Sequence, residues 1–252
     1  MCPIAQSLQE WVDTEVQSIR DKGLRRLSEE DFFRDPFRPL FSADTHFFAP
    51  ADGIVLYQQT VKPDEAIVDI KGKSYSLRDA MRDTAYSRES LVVGIFMTFF
   101  DVHINRVPFP GRLSYRQLEP LHTYNWPMLG VEKSLLTDLN LDMSSAGYLH
   151  NNQRMLNKVY APRLRDHYYI LQIADYDVDC IMPFQLKQNS PFAQNQRFSQ
   201  IRYGSQVDLI IPLSERFRFT PILEPGLHVK AGLDALIRIE PKITEETKET
   251  LQ

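Results

Sequence analysis

A chain of 252 residues, 43% hydrophobic and 25% charged, carries enough apolar side chain to close a sizeable core in one large domain or two small ones. Its net charge of -4 leaves no electrostatic footprint for nucleic acid, and Cys2 and Cys180 stand too far apart for a CxxC metal or redox pair. No apolar run reaches the ~20 residues of a membrane span, and the first residues lack the basic-then-apolar pattern of a secretory signal. The expectation is a cytoplasmic chain with no disulfide framework and no metal site.

Residues 1–31 read as a helical segment, because Ile4, Leu8, Trp11, Val12, Val16 and Ile19 recur at three- and four-residue spacing on one face. Arginines and lysines crowd residues 20–26 behind it. Such a helix either lies in a lipid interface or packs on its own domain. Ser28 with Asp31 has the spacing of a helix start. Pro36 and Pro39 then forbid regular helix.

From there the chain alternates like a β protein. Residues 47–60 read as strand broken by a corner at 50–53, and 65–71 as a second strand. Residues 76–86 are a short helix candidate, and the apolar run 91–100 is a buried strand that delivers His103 at its end. Between 119 and 166 the pattern is weak, with helix expected at 135–141 and loop at 144–154. Strands return over 168–182, over 199–213 with a break at Gly204-Ser205, and at 216–223 and 235–239. The end from Lys242 reads as a solvated tail. Short strands joined by Gly/Pro turns, with helix mainly at the front, predict an α+β fold: mostly antiparallel sheets in a barrel-like core behind an N-terminal helical segment.

A Gly-Ser pair between two strands is by itself a tight turn. Two other stretches give it a second meaning. Pro50-Ala51-Asp52-Gly53 supplies a carboxylate, and the stretch from Phe99 to Arg106 supplies His103. With Ser205 these are the parts that activate a serine. Asp101 and Asp208 read as turn and strand-end residues, and His46, His122, His150, His167 and His228 show no ligand-like spacing.

In order, Phe33-Arg34-Asp35-Pro36, Pro50-Ala51-Asp52-Gly53, Phe100-Asp101-Val102-His103-Ile104-Asn105-Arg106 and Gly204-Ser205-Gln206-Val207-Asp208 resemble the motifs of the phosphatidylserine decarboxylase family. Residues 71–77 and 196–203 fit the same pattern. The resemblance runs from about residue 32 to 240, and the turn from Gly226 to Gly232 is similar to the hairpins of lipoyl- and biotin-carrier folds, as a swivelling scaffold without the carrier lysine. It implies a catalytic domain over 32–252 that breaks its own Gly204–Ser205 bond, giving chains 1–204 and 205–252.

The resemblance also implies the chemistry. A serine hydroxyl needs a base within reach. His103 is expected to take the Ser205 Oγ proton while Asp52 orients the imidazole. Oγ adds to the Gly204 carbonyl carbon as the C–N bond breaks. Elimination then frees the Gly204 carboxylate, and the dehydroalanine left at 205 takes up water to give a pyruvoyl group and ammonia. That self-made cofactor acts as an electron sink for loss of CO2 from an amine-bearing substrate. His103 is also the candidate for the later protonation. Some family members carry a second histidine where this chain has Phe100, so a mechanism needing two imidazoles does not transfer.

The expected activity is conversion of phosphatidylserine to phosphatidylethanolamine and CO2, by a cytoplasmic protein held peripherally at an anionic membrane surface and, by resemblance only, a homodimer. Two alternatives stay open: the same chemistry on a soluble or carrier-bound amino acid, and a non-catalytic β-rich binding module. Ser205→Ala, His103→Ala and Asp52→Asn are each expected to leave the precursor whole.

Overall fold

The apolar run in the middle of the sequence becomes the central strand of the molecule. In the computed structural model, which describes residues 5–21, 26, 30–40, 42–176, 180–202 and 204–242, strand β6 (Ser90–Met97) is buried at every position. It pairs antiparallel with β3 (Gly53–Val61) on one side and with β14 (Ser205–Pro212) on the other. Outward from β3 follow β16 (Leu227–Val229) and the two-residue β1 (Gln6–Ser7). Beyond β14 come β10 (Asp166–Ala174), β9 (Arg154–Ala161), β8 (Gly111–Leu118) and β12 (Ser190–Phe192).

A strand buried on both faces must feed two cores, and β6 does so by alternation. Leu91, Val93, Ile95 and Met97 point into one cluster, while Val92 and Phe96 point into the other. Two small sheets cover the first face. One joins β11 (Ile181–Pro183), β13 (Arg197–Ile201) and β7 (Ile104–Arg106); the other joins β15 (Phe217–Pro221), β17 (Ala235–Pro241) and β2 (His46–Phe48). The helices Leu77–Met81, Leu129–Thr137 and Tyr148–Asn151 cover the second face, beside the hairpin of β4 (Ala66–Ile70) and β5 (Lys73–Ser76).

The mostly antiparallel α+β expectation holds, but the sheet is layered and open, with no closed barrel among the described residues. Its outermost strands, β1 and β12, are only two and three residues long and do not meet. Layers on both faces bury the apolar side chains, so closure is not needed to hide them.

The N-terminal helix begins at Leu8, after the strand Gln6–Ser7, and runs as an α turn Leu8–Trp11, a π turn Val12–Val16 and a second α turn Gln17–Arg20, with Arg26, Glu30 and Asp31 helical again. Ser7 caps it in a reciprocal capping box with Glu10. Leu8, Trp11, Val12, Val16 and Ile19 are all buried in the helix-side core, so the face that could lie in lipid is used inside the fold. The start expected at Ser28 and most of the basic run lie outside the described residues, as does the tail after Lys242.

The weakly patterned region holds β9 and a helix at Leu129–Thr137 rather than 135–141. Residues 148–151 form a further short helix where loop was expected. β9 was obscured because its buried positions include Arg154 and Asn157. Arg154 donates to the carbonyls of Ala80 and Leu149, at the ends of two helices, and Asn157 donates to Ile170 O and Gln172 Oε1. Polar residues satisfied this way carry no apolar alternation to read.

Candidate active site

The site is built around the end of β6, where three chain segments are hydrogen-bonded side by side. The corner before β3 comes first. Gly53 has φ +148°, and a Cβ there would stand 2.1 Å from Phe96 O, so only glycine lets the corner approach β6 this closely. Asp52 beside it is buried and accepts from both Arg38 Nη atoms, at 2.5 and 2.6 Å, and from Ala231 N at 2.8 Å. This is a bidentate buried ion pair, the arrangement in which a guanidinium fork best offsets its own desolvation.

His103 follows the turn that ends β6. Asp101 closes that turn by accepting from Thr98 N and Oγ1, both at 2.8 Å. The His103 ring is fully buried and stacks on Phe32 with centroids 4.1 Å apart. Its Nδ1 lies 3.0 Å from the Asp101 carbonyl oxygen. A carbonyl only accepts, so Nδ1 carries the proton and Nε2 keeps its lone pair. Nε2 is buried with no hydrogen-bond partner. Burial lowers the pKa to about 4 against the pull of Asp101 and Asp52, leaving the ring neutral at pH 7.

Ser205 opens β14, paired with Met97 of β6 and Ala174 of β10. Its Oγ is buried and donates to the Met97 thioether, at 3.2 Å, a weak acceptor. A Cβ on Gly204 would come within 2.8 Å of Asp175 Oδ2, so a side chain there would push that carboxylate aside. Asp175 is fixed in turn by Met128 N at 2.7 Å. Two residues on, Gln206 donates to Tyr57 Oη and Asp208 Oδ1 and accepts from Tyr148 Oη, tying down the start of β14. Burial raises the Asp208 pKa to about 6.

Backbone hydrogen bonds tie the three segments that carry the expected residues around the end of β6. Ile201 N donates to His103 O at 3.1 Å, Arg106 N to Pro50 O at 2.8 Å, and Ser205 registers with Met97. Their side chains are not joined as a triad. Arg38 and Ala231 hold Asp52, and neither imidazole nitrogen touches it. Orientation of the ring therefore comes from the Asp101 carbonyl and the Phe32 face, while Asp52 acts on His103 through its charge. A dedicated cation has taken the carboxylate that the sequence reading gave to the imidazole.

Sequence reading missed a second imidazole–carboxylate pair. His228 Nε2 lies 2.6 Å from Asp101 Oδ1, and its ring stacks on Trp11 at 4.3 Å. Burial alone would raise the Asp101 pKa, but the His228 and Thr98 bonds outweigh it and hold the carboxylate below its ordinary range. Glu132 was missed as well. Its Oε1 accepts from Phe99 N at 3.0 Å, Oε2 is buried without a partner, and burial pushes its pKa up to about 8. Only Asp101, inside the Phe-Asp-Val-His stretch, carried a signal that could have flagged it.

Ser205 offers a buried hydroxyl and His103 a neutral imidazole with one unpartnered nitrogen, the group types that a serine-activating site requires. The family model described as phosphatidylserine decarboxylase matches residues 30–236. Curated relatives named phosphatidylserine decarboxylase proenzyme include one from Erythrobacter litoralis, 32% identical over 82% of this chain and 72% of its own length. One from Novosphingobium aromaticivorans is 31% identical over 82% and 71%, and one from Cupriavidus taiwanensis 30% identical over 75% and 70%. The chain belongs to the phosphatidylserine decarboxylase family. It is a decarboxylase, a lyase, which sets aside the non-catalytic alternative.

Proposed function

We propose that this chain is a proenzyme that cleaves itself between Gly204 and Ser205, converts Ser205 to a pyruvoyl group, and decarboxylates phosphatidylserine to phosphatidylethanolamine at a membrane surface. The observation that carries the reading is the His103 imidazole, buried and neutral, with Nδ1–H bound to a carbonyl and Nε2 unpartnered on the segment bonded beside the strand that leads to Ser205. Such a nitrogen is a ready proton acceptor.

Ser205 Oγ gives up little by turning from the Met97 thioether toward that nitrogen. His103 takes its proton and returns it to the departing amide nitrogen. Asp52, fixed by Arg38, stabilises the transient imidazolium through space. The missing Cβ at Gly204 leaves the carbonyl open to attack and keeps the Asp175 carboxylate close to the scissile bond. A pyruvoyl group at 205 supplies a carbonyl that reacts with a substrate amine and draws off electrons as CO2 leaves. His103 then holds the proton to be delivered.

Intact mass spectrometry tests this. Two chains are expected, the smaller starting at position 205 with the mass of a pyruvoyl rather than a serine terminus, and Ser205→Ala should stay whole. A fully active, uncut chain would overturn it. One observation favours the soluble amino-acid substrate instead: the apolar face of the N-terminal helix is buried in the protein's own core. Turnover of free amino acids, with none of phosphatidylserine, would select that reading.

A further inference from the structure

With Trp11 and its helix packed inside, a protein that acts on a phospholipid needs another face to meet the bilayer. A cavity of about 1030 Å³ opens beside the site, lined by residues including Phe37, Leu40, Phe184, Arg38, Arg106 and Arg197. Its back wall is the Arg38 that grips Asp52. Its rim is apolar and in water, with Phe37 93%, Leu40 63% and Phe184 47% exposed. Leu186, next to the lining residue Gln185, is exposed too. Large apolar side chains gathered at one mouth mark a contact surface in a way that scattered ones do not.

The charges beneath the rim favour an anion. Arg38 is neutralised by Asp52, and Arg106 and Arg197 share the single carboxylate of Asp35. Arg106 also donates to Asn195 O at 3.0 Å, yet its Nε is buried without a hydrogen-bond partner. Two guanidiniums over one carboxylate leave a net positive charge in a chain whose overall charge is -4. Aromatic and leucine side chains outermost, with arginines one layer in, match the layering of a bilayer interface, where acyl chains lie beyond the phosphates.

We propose that this mouth is the face the protein sets against an anionic phospholipid bilayer, Phe37, Leu40 and Phe184 entering the interface while exposed Arg197 meets lipid phosphates and buried Arg106 adds its charge from beneath. The inference rests on the reading of the chain as a phosphatidylserine decarboxylase, but it concerns docking and is separable from the chemistry. Arg106, which lines the cavity, stands three residues past His103 in the chain.

The test is sedimentation of the purified protein with vesicles of phosphatidylcholine and phosphatidylglycerol that contain no phosphatidylserine. Phe37→Ser combined with Leu40→Ser is expected to weaken vesicle binding by about tenfold or more, and Arg197→Gln to weaken it less and remove part of its salt dependence. Leu121→Ser, at an exposed leucine outside this lining, should bind as the parent does. The double variant should still cleave itself and turn over a short-chain, water-soluble phosphatidylserine while losing turnover on vesicles. Parent-like vesicle binding by the double variant would overturn the proposal, as would a parent that does not bind vesicles, which leaves the rim as a protein contact. Failure of self-cleavage in the parent would instead strike the reading of the function, because vesicle binding is measured without substrate.

Discussion

Asp101 stands between two buried histidines and offers each a different acceptor. His228 gives Nε2 to the Asp101 carboxylate and its ring face to Trp11, and its Nδ1 is buried without a partner. His103 gives Nδ1 to the Asp101 backbone carbonyl and its ring face to Phe32, and leaves Nε2 free. Both rings are stacked and desolvated, so burial does not separate structure from chemistry here. The difference is which nitrogen is spent. Each keeps one nitrogen unpartnered, but His228 is tied to a carboxylate, whereas His103 rests on a neutral carbonyl and lies on the segment bonded to the strand that leads to Ser205.

The comparison breaks most visibly at His103. His103→Ala should slow self-cleavage by about 10²–10⁴-fold, the usual worth of a positioned base, read as the uncut fraction on a denaturing gel over time. With the folded pKa about 4, cleavage in the parent should stay flat from neutral pH down to about pH 5. Stability carries the same signature. The unfolded ring binds protons near pH 6.5 and the folded one only near 4, so the unfolded state is favoured as pH falls between those values. A loss on the order of 3 kcal/mol across that window is expected, and His103→Gln should flatten it in urea titrations.

His228→Ala should reverse the pattern. Removing the ring leaves Asp101 Oδ1 buried without its donor and strips Trp11 of its stacking partner. A destabilisation of about 3 kcal/mol is expected, while molecules that still fold should cleave within about tenfold of the parent rate. A His228 variant that folds normally but stays uncut would erase the distinction between the two rings.

The sequence showed where chemistry could sit better than how the pieces connect. Apolar β6 and the Gly/Pro corners around Asp52 and Ser205 were legible because each is a local property: a run without charge, or a residue with unusual backbone freedom. The Arg38–Asp52 pair, the Asp101–His228 pair and buried Arg154 were not. Each joins residues far apart in the chain, and an arginine reads as surface until its carboxylate or carbonyl partners are in view. The N-terminal helix shows the complementary limit. Its amphipathic spacing was clear, but spacing alone says nothing about whether lipid or protein covers the apolar side.

The smallest expected effect sharpens the comparison from the helix side of the same turn. Glu132 accepts from Phe99 N two residues before Asp101, and burial raises its pKa from 4.5 to about 8. The folded state therefore keeps a proton that the unfolded state releases near pH 4.5. Its stability contribution is complete below that value and is lost as pH climbs toward 8, the opposite slope to His103. Glu132→Gln keeps the acceptor for Phe99 N and removes the titration, so it should gain on the parent as pH rises. The new amide N–H group lies where Oε2 has no partner, and that unmet donor costs about 1–3 kcal/mol, offsetting most of the gain. With a cost near the upper end, a net advantage of about 1 kcal/mol at pH 8 should turn into a disadvantage of about 3 kcal/mol at pH 4.5 in urea titrations at the two pH values. Equal stability differences at both would mean that Glu132 is ionised in the fold, with a second negative charge held near Asp101.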